Sequence, residues 1–324
     1  MAILGIDLGT TNSLGAVYRN GKVELIPNRF GSFLTPSVVS VTEDGSVVTG
    51  QIAKERLITH PKDTAFSFKK NMGSDQKYNL GGKTFLPEEL SGFLVSAIVE
   101  DAKEYMGEEI KDVIISVPAY FHDKQRVATK RAGALAGVNV KRIVNEPSAA
   151  ALASYFDTQN EQLFLVFDFG GGTLDVSIVD CFDTMVDILA VSGDNHLGGD
   201  DFDECITEHL LQVFEQQTGV KLQRDAMALQ RVRQAAEQAK KELSSATSTQ
   251  VNLPFIAQGS AGPLHMDVTL TRAEFDRLTV HLIERTTGPV QSALNDAGIA
   301  ASELGCVLLV GGSTRIPAVQ NHVR

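Results

Sequence analysis

The sequence predicts an α/β fold of two related lobes, and three observations predict it. Strand-like and helix-like runs alternate along the chain, the pattern of helices laid against sheets. A unit of strand, acid, glycine turn and strand occurs twice. "IDLGTTNSL" at 6–14 aligns without a gap with "FDFGGGTLD" at 167–175, setting Asp7 against Asp168, Gly9 against Gly170 and Asn12 against Thr173. A third glycine turn, Gly311-Gly312, follows the apolar run "CVLLV". At 324 residues the length also suggests about two domains.

Taken in order, the strand-like runs are "AILGIDLG", "LGAVYRNGKVELIPN", "SVVSVT", "DVIISVP", "VKRIVN", "LFLVFDFG", "DVSIVD", "MVDILAVSG" and "CVLLVGG". Helix-like runs occupy 123–137, 146–155, 200–218, 225–245 and 272–297. Glu146-Pro147 places a proline at a first helical position, where its missing N–H costs nothing. Thr271-Arg272-Ala273-Glu274 is a capping box, and Gly298 a stop. The more polar, helix-rich stretches 38–112 and 227–304 read as insertions. Lobe I is therefore expected over 1–187 (core 1–37 and 113–187), and lobe II over 188–324 (core 188–226 and 305–324).

Composition narrows the function. Hydrophobic residues make up 43%, ample for two cores, and 29 Lys+Arg against 40 Asp+Glu give a net charge of −11. That balance argues against a general nucleic-acid binder, which needs a basic face. Cys181, Cys205 and Cys306 are odd in number and widely spaced, unlike a disulfide framework or a zinc site. The start "MAILGIDLGTT" has no basic segment before its short apolar run, so no signal peptide is expected, and no apolar run is long enough to span a bilayer. A soluble, cytoplasmic protein is the expectation.

The repeated turns carry the chemistry. Consecutive glycines bare the backbone, and successive N–H groups make an anion-binding concavity suited to phosphate. Asp7 and Asp168 beside that cradle would repel phosphate unless a cation lay between. Magnesium, which keeps most of its waters and bridges carboxylates to phosphate oxygens, fits that need. Either motif alone reads more simply as a hairpin with a solvated aspartate; their gap-free repetition favours the phosphate reading. "GKT" at 82–84 lacks the first glycine of a P-loop, and no G-x-G-x-x-G occurs. By spacing alone, Glu237, Lys240, Lys241 and Ser244 make one solvated helix face with a Glu-to-Lys pair, and Lys69 and Lys70 read as surface lysines. The seven histidines form no ligand cluster, and no side-chain nucleophile stands out.

"GIDLGTTNS", "ISVPAYFHDKQRVATKRAG", "VKRIVNEPSAAALASY", "VFDFGGGTLDVSIV", "GDNHLGGDDFD", "AAEQAKKELSS" and "VLLVGGSTRIPAVQ" together resemble the ATPase domain of the seventy-kilodalton heat-shock chaperones, from residue 3 to the end. "FKKNMGSDQKYNLGGKTF" resembles the HscC-like bacterial branch, and "VNLPFIAQGSAGPLHMDVTLTRAEFD" the DnaK-like one. The resemblance implies an actin-like (ribonuclease H-like), two-lobed ATPase fold with insertion subdomains and ATP or ADP in the central cleft. It implies that Asp7 and Asp168 orient hydrated Mg2+ and a K+-bearing phosphate site. Gly9, Thr10, Thr11 and Asn12 would form the first phosphate loop, and Gly170, Gly171, Gly172 and Thr173 the second, with Gly198 and Gly199 also on the nucleotide. Lys69 would position the attacking water, while Glu146 and Asp175 complete the metal and proton-handling shell. Glu237, Lys240, Lys241 and Ser244, with Gly311, Gly312, Ser313 and Arg315, would hold adenosine.

Pro118 and Arg126 match the family's switch residues, and Arg142 and Asn145 match positions near its J-domain partner site. The implied partners are a J-domain co-chaperone, a nucleotide exchange factor and client peptides, with no nucleic acid or membrane. Two features depart from the family. The loop "DCFDTMVD", part of the J-domain surface, is short, and the family's last elements of lobe II, its linker and its peptide-binding domain are expected beyond Arg324. A small-molecule kinase and a filament-forming protein share the fold class, but neither accounts for "NEPSAAAL" and "VPAYF" together.

Overall fold

The computed structural model describes residues 2–158, 162–182, 185–260 and 262–324. It divides into two compact units, Met1–Glu161 with Cys181–Asp187, and Gln162–Asp180 with Ile188–Arg324.

Alternating burial builds the sheet of the first unit. Leu4 and Ile6 of the strand Ile3–Asp7, and Val113, Ile115 and Val117 of Asp112–Val117, all point into one core. The strand order is Asn139–Asn145, Asp112–Val117, Ile3–Asp7, Asn12–Arg19, Lys22–Ile26, with the short strand Thr35–Pro36 also paired to Asn12–Arg19. Ile3–Asp7 runs parallel to Asp112–Val117 and antiparallel to Asn12–Arg19. The helix Pro87–Met106 covers the sheet with Leu90, Leu94, Val95, Ile98, Val99 and Ala102. It opens with Pro87 in its first turn and the Glu89 carboxylate accepting from Leu86 N at 2.7 Å, and it ends on Gly107 in the left-handed region.

The second unit is organised around a four-stranded sheet in the order Met185–Asp194, Leu174–Phe182, Gln162–Phe169, Cys306–Val310. Gln162–Phe169 lies parallel to Cys306–Val310, with Asp168 opposite Val310. The sequence repeat is thus a repeat of topology: in each unit an acid-bearing strand sits between the strand that follows its glycine turn and a parallel strand from much later in the unit. That late pairing ties the second acid-bearing strand to residues far along the chain. Gln162–Phe169 and most of Leu174–Phe182 group with residues beyond 188, whereas the sequence reading kept them in lobe I up to 187.

Its core is aromatic. Phe167, Phe169, Phe202 and Phe275 form a chain with ring centroids 5.8, 5.8 and 6.1 Å apart, joining the sheet to the helices Gly199–Thr218 and Arg272–Arg285.

Two elements differ from expectation. The run 272–297 is two helices, Arg272–Arg285 and Thr287–Ala297. Pro289 has no N–H to give the Arg285 carbonyl and would crowd it, so the helix restarts. The insertion 227–304 holds a long hairpin, Ser248–Gly259 paired with Gly262–Thr271, whose inward residues are Val251, Ile256, Met266, Val268 and Leu270. Positions 183 and 184 of "DCFDTMVD" lie outside the described residues. No helix among the described residues is long and apolar enough to cross a membrane.

Candidate functional site

In the first unit, Asp7 ends the central strand and is exposed, and Ser116 on the parallel neighbour donates to its Oδ1 at 2.8 Å. The turn that follows is closed by the chain itself. A side chain on Gly9 would overlap the Asn12 carbonyl oxygen, so only glycine fits. Two residues that the sequence did not single out fix this turn. Ser37, almost fully buried, donates to the Gly9 carbonyl at 2.7 Å, shares a hydrogen bond with buried Ser13 at 2.9 Å, and gives its backbone N–H to Thr11 O at 2.8 Å.

Lys69 is not a surface lysine. It is 7% exposed, on a turn of 3-10 helix over Phe68–Asn71 that follows Ser67 in the left-handed region. Its ammonium lies 2.8 Å from Glu146 Oε1 and 6.0 Å from the centre of the Phe121 ring. Lys70, its neighbour, is exposed. Burial pushes the Glu146 carboxyl above the ordinary range; Lys69 opposes this, and Asp7 adds to it. That Asp7 acts on Glu146 at all places the two acids and the lysine in one electrostatic neighbourhood. Glu146 opens the helix Glu146–Thr158, directly after the strand Asn139–Asn145. Arg126 ties the same region together, donating to Asn145 Oδ1 at 2.7 Å and to the Phe121 and Ala119 carbonyls, while Phe121 N donates to Pro118 O. Arg142 stands exposed on the edge strand.

In the second unit the Gly170–Thr173 turn follows Asp168 and is clamped from two sides. Gly170 N donates to Thr173 O, Gly199 N to Gly170 O at 3.0 Å, and Asp200 N to Gly171 O at 2.7 Å. From the other side Ser313 Oγ donates to Gly170 O at 2.8 Å. Gly198 lies so close that a Cβ there would overlap the backbone of Gly171 and Gly172. Asp175, one strand residue past the turn, sits beside Gly193. Gly311, with φ 88°, packs its backbone against Phe169 and Asp168, and its carbonyl accepts from Thr314 Oγ1. Gly312 and Arg315 are exposed next to it.

The helix Ala226–Leu243 and its cap supply the remaining residues, and they divide by role. Lys241 pairs with Glu237 at 2.6 Å, the solvated i,i+4 pair that the spacing predicts. Lys240 turns inward and donates to Gly199 O at 2.8 Å and Asp203 Oδ2 at 2.9 Å. Ser244 Oγ reaches the Lys240 carbonyl. Asp203 was not anticipated. Its carboxyl is pushed up to about 6, first by burial and then by Glu237 and Asp200, against the pull of Lys240. Among the described residues no group of three or more His, Cys, Asp or Glu is arranged to hold a metal directly.

Compared with known protein families, the chain matches the model described as Hsp70 protein over residues 3–79 and 76–324.

Proposed function

Because the chain belongs to the Hsp70 family, we propose that the sites described above bind ATP and hydrolyse it slowly to ADP and phosphate. Its α/β fold is that of the actin-like, two-lobed ATPases, and the family comprises chaperone ATPases. The observation that carries the proposal for this chain is the buried Lys69–Glu146 pair, which shares a unit with Asp7 and the Gly9–Asn12 turn. A lysine is not buried against a glutamate without cost, and the cost is best explained by a ligand that needs the ammonium.

Gly9 to Asn12 and Gly170 to Thr173 offer backbone amides to phosphate oxygens. Asp7, Asp168 and Asp175 are hard oxygen donors with no imidazole or thiolate among them, a set that suits magnesium retaining its waters and not a directly coordinated transition metal. When bound, the magnesium and a potassium ion supply charge that offsets the phosphate oxygens. Lys69 orients the attacking water and contacts the terminal phosphate; Glu146 holds Lys69 in that position and, with Thr173 and Asp175, handles the released proton. Phosphoryl transfer asks for little more than such positioning and charge stabilisation. Lys240, Ser244 and Ser313, with Glu237, Lys241, Gly311, Gly312 and Arg315, take the adenosine.

The wider reading follows the family: a cytoplasmic bacterial chaperone of the heat-shock response, DnaK- or HscC-like, whose nucleotide state controls peptide binding by a separate domain. Arg142 and Asn145 meet a J-domain co-chaperone, Pro118 and Arg126 relay the nucleotide state, and an exchange factor releases ADP. A single-turnover assay with labelled ATP tests the activity. Release of inorganic phosphate is expected; transfer of the label to a metabolite would indicate a kinase instead.

A further inference from the structure

Asp203 has no place among the expected nucleotide contacts, yet it is tied to one of them. It lies in the first turns of the helix Gly199–Thr218 and reaches Lys240 on another helix, both side chains being largely buried. The Lys240 ammonium has three N–H donors; two are spent, on Asp203 and on the Gly199 carbonyl. Gly199 in turn donates to Gly170, so the pair is fastened to the glycine turn as well. We propose that Asp203 is a positioning residue that fixes Lys240 with one donor left over and cancels its charge, so that this part of the site selects a neutral sugar hydroxyl over a phosphate oxygen. The proposal rests on the nucleotide reading above.

The physical reason is charge balance. A lone buried ammonium is a strong anion ligand. Paired with a carboxylate it is neutral overall, and its remaining N–H is an ordinary donor of fixed direction. The neutral hydroxyls of a nucleoside suit such a donor. The pairing is also fragile. Among the described residues Asp203 Oδ1 is buried without a hydrogen-bond partner, so the carboxylate leans on Lys240 for compensation. The charged groups that act on it are Lys240, which stabilises the ionised form, and Glu237 and Asp200, which oppose it. With the carboxyl titrating at about 6, mild acid removes the anchor from Lys240.

The test is calorimetric titration of residues 1–324 with adenosine, which carries no phosphate to titrate in the same range, and with ADP plus magnesium as a reference. Adenosine affinity should fall about fourfold between pH 7.5 and 5.5, following the ionised fraction of a group near 6. Asp203→Asn should bind adenosine about tenfold more weakly at pH 7.5, with a flat pH profile. Its ADP affinity should fall less, because the uncancelled ammonium attracts phosphate. Asp203→Glu should recover part of the loss, which a mere packing defect would not allow. Equal adenosine affinities for the parent and a folded Asp203→Asn would overturn the proposal. If the variant lacks a thermal transition, the parent profile decides alone, and a flat one overturns the proposal. ADP binding without any adenosine binding would refute the sugar-side role while leaving the nucleotide reading intact. A parent that binds neither ligand would refute both.

Discussion

Lys69 and Glu146, 77 positions apart in the chain, meet as a buried ion pair 2.8 Å across. Neither is placed by local pattern: one sits on a short turn after a left-handed serine, the other at the start of a helix. Their meeting joins the insertion to the central sheet at the position where Asp7 is felt.

The first prediction follows from that pair. Lys69→Ala should reduce single-turnover hydrolysis about a hundredfold while nucleotide affinity changes less than about threefold, because the ammonium acts on water and terminal phosphate. The variant should also lose about 3 kcal/mol of stability at neutral pH, from the Glu146 charge left buried alone. Glu146 already has a raised pKa, and losing Lys69 raises it further. The penalty of the ionised form is therefore absent below the ordinary carboxylate range and appears as pH rises through the raised value. Denaturant melts at several pH values check the sign: the deficit should shrink on acidification.

Asp203 should titrate near 6 in the folded protein, against an ordinary value of 3.8. Stability from this group is complete below 3.8 and is lost as pH rises through about 6, since the folded state then holds an ill-compensated carboxylate. Carbon-detected NMR of the side chain measures the midpoint directly. In Lys240→Met the midpoint should move upward, because the partner that favours ionisation is gone; a downward movement would mean that Lys240 is not that partner.

Asp168→Asn should weaken magnesium-dependent ATP binding about tenfold or more, with little change in binding measured without magnesium. Titrations of both proteins with and without the metal separate the two terms. An unaltered metal dependence in the variant would rule out a metal role for this carboxylate.

Gly198→Ala should disable the second phosphate turn without unfolding the unit. The added methyl would overlap the backbone of Gly171 and Gly172, and that backbone must shift to admit it. ATP affinity should fall at least about tenfold while thermal stability drops by about 1–3 kcal/mol. Gly82→Ala, at an open turn where nothing lies within reach of a Cβ, is the control for local strain alone and should leave affinity unchanged.

Much of this was legible in the sequence for a simple reason. Asp7 with Gly9–Asn12 and Asp168 with Gly170–Thr173 are contiguous, so acid and bare amides appear side by side in one dimension. The burial of Lys69 was not legible, because it depends on Glu146 and Phe121, which only the fold brings near. The same holds for Ser37 and Ser13, small hydroxyls whose role lies in reaching the Gly9 turn. The hairpin 248–271 hid its alternation at Pro254 and Phe255, where the register shifts and Phe255 takes φ 54°. The stripe on Ala226–Leu243 shows the limit of spacing: it predicts the Lys241–Glu237 pair, but not that Lys240, one residue earlier, turns inward to Asp203.

The parallel pairing of Gln162–Phe169 with Cys306–Val310 also bears on how the protein comes into being. On the ribosome the acid-bearing strand emerges long before its neighbour has been synthesised, so one edge of it stays open while the intervening helices appear. Non-local closures of this kind are slow and leave unpaired edges open to aggregation in the meantime. Gly311 and Ser313, which brace the second glycine turn, follow directly on that last strand. The nascent chain therefore cannot complete the brace on this turn until the strand that closes the sheet has emerged. A member of a chaperone family thus passes through a long unfinished stage of its own.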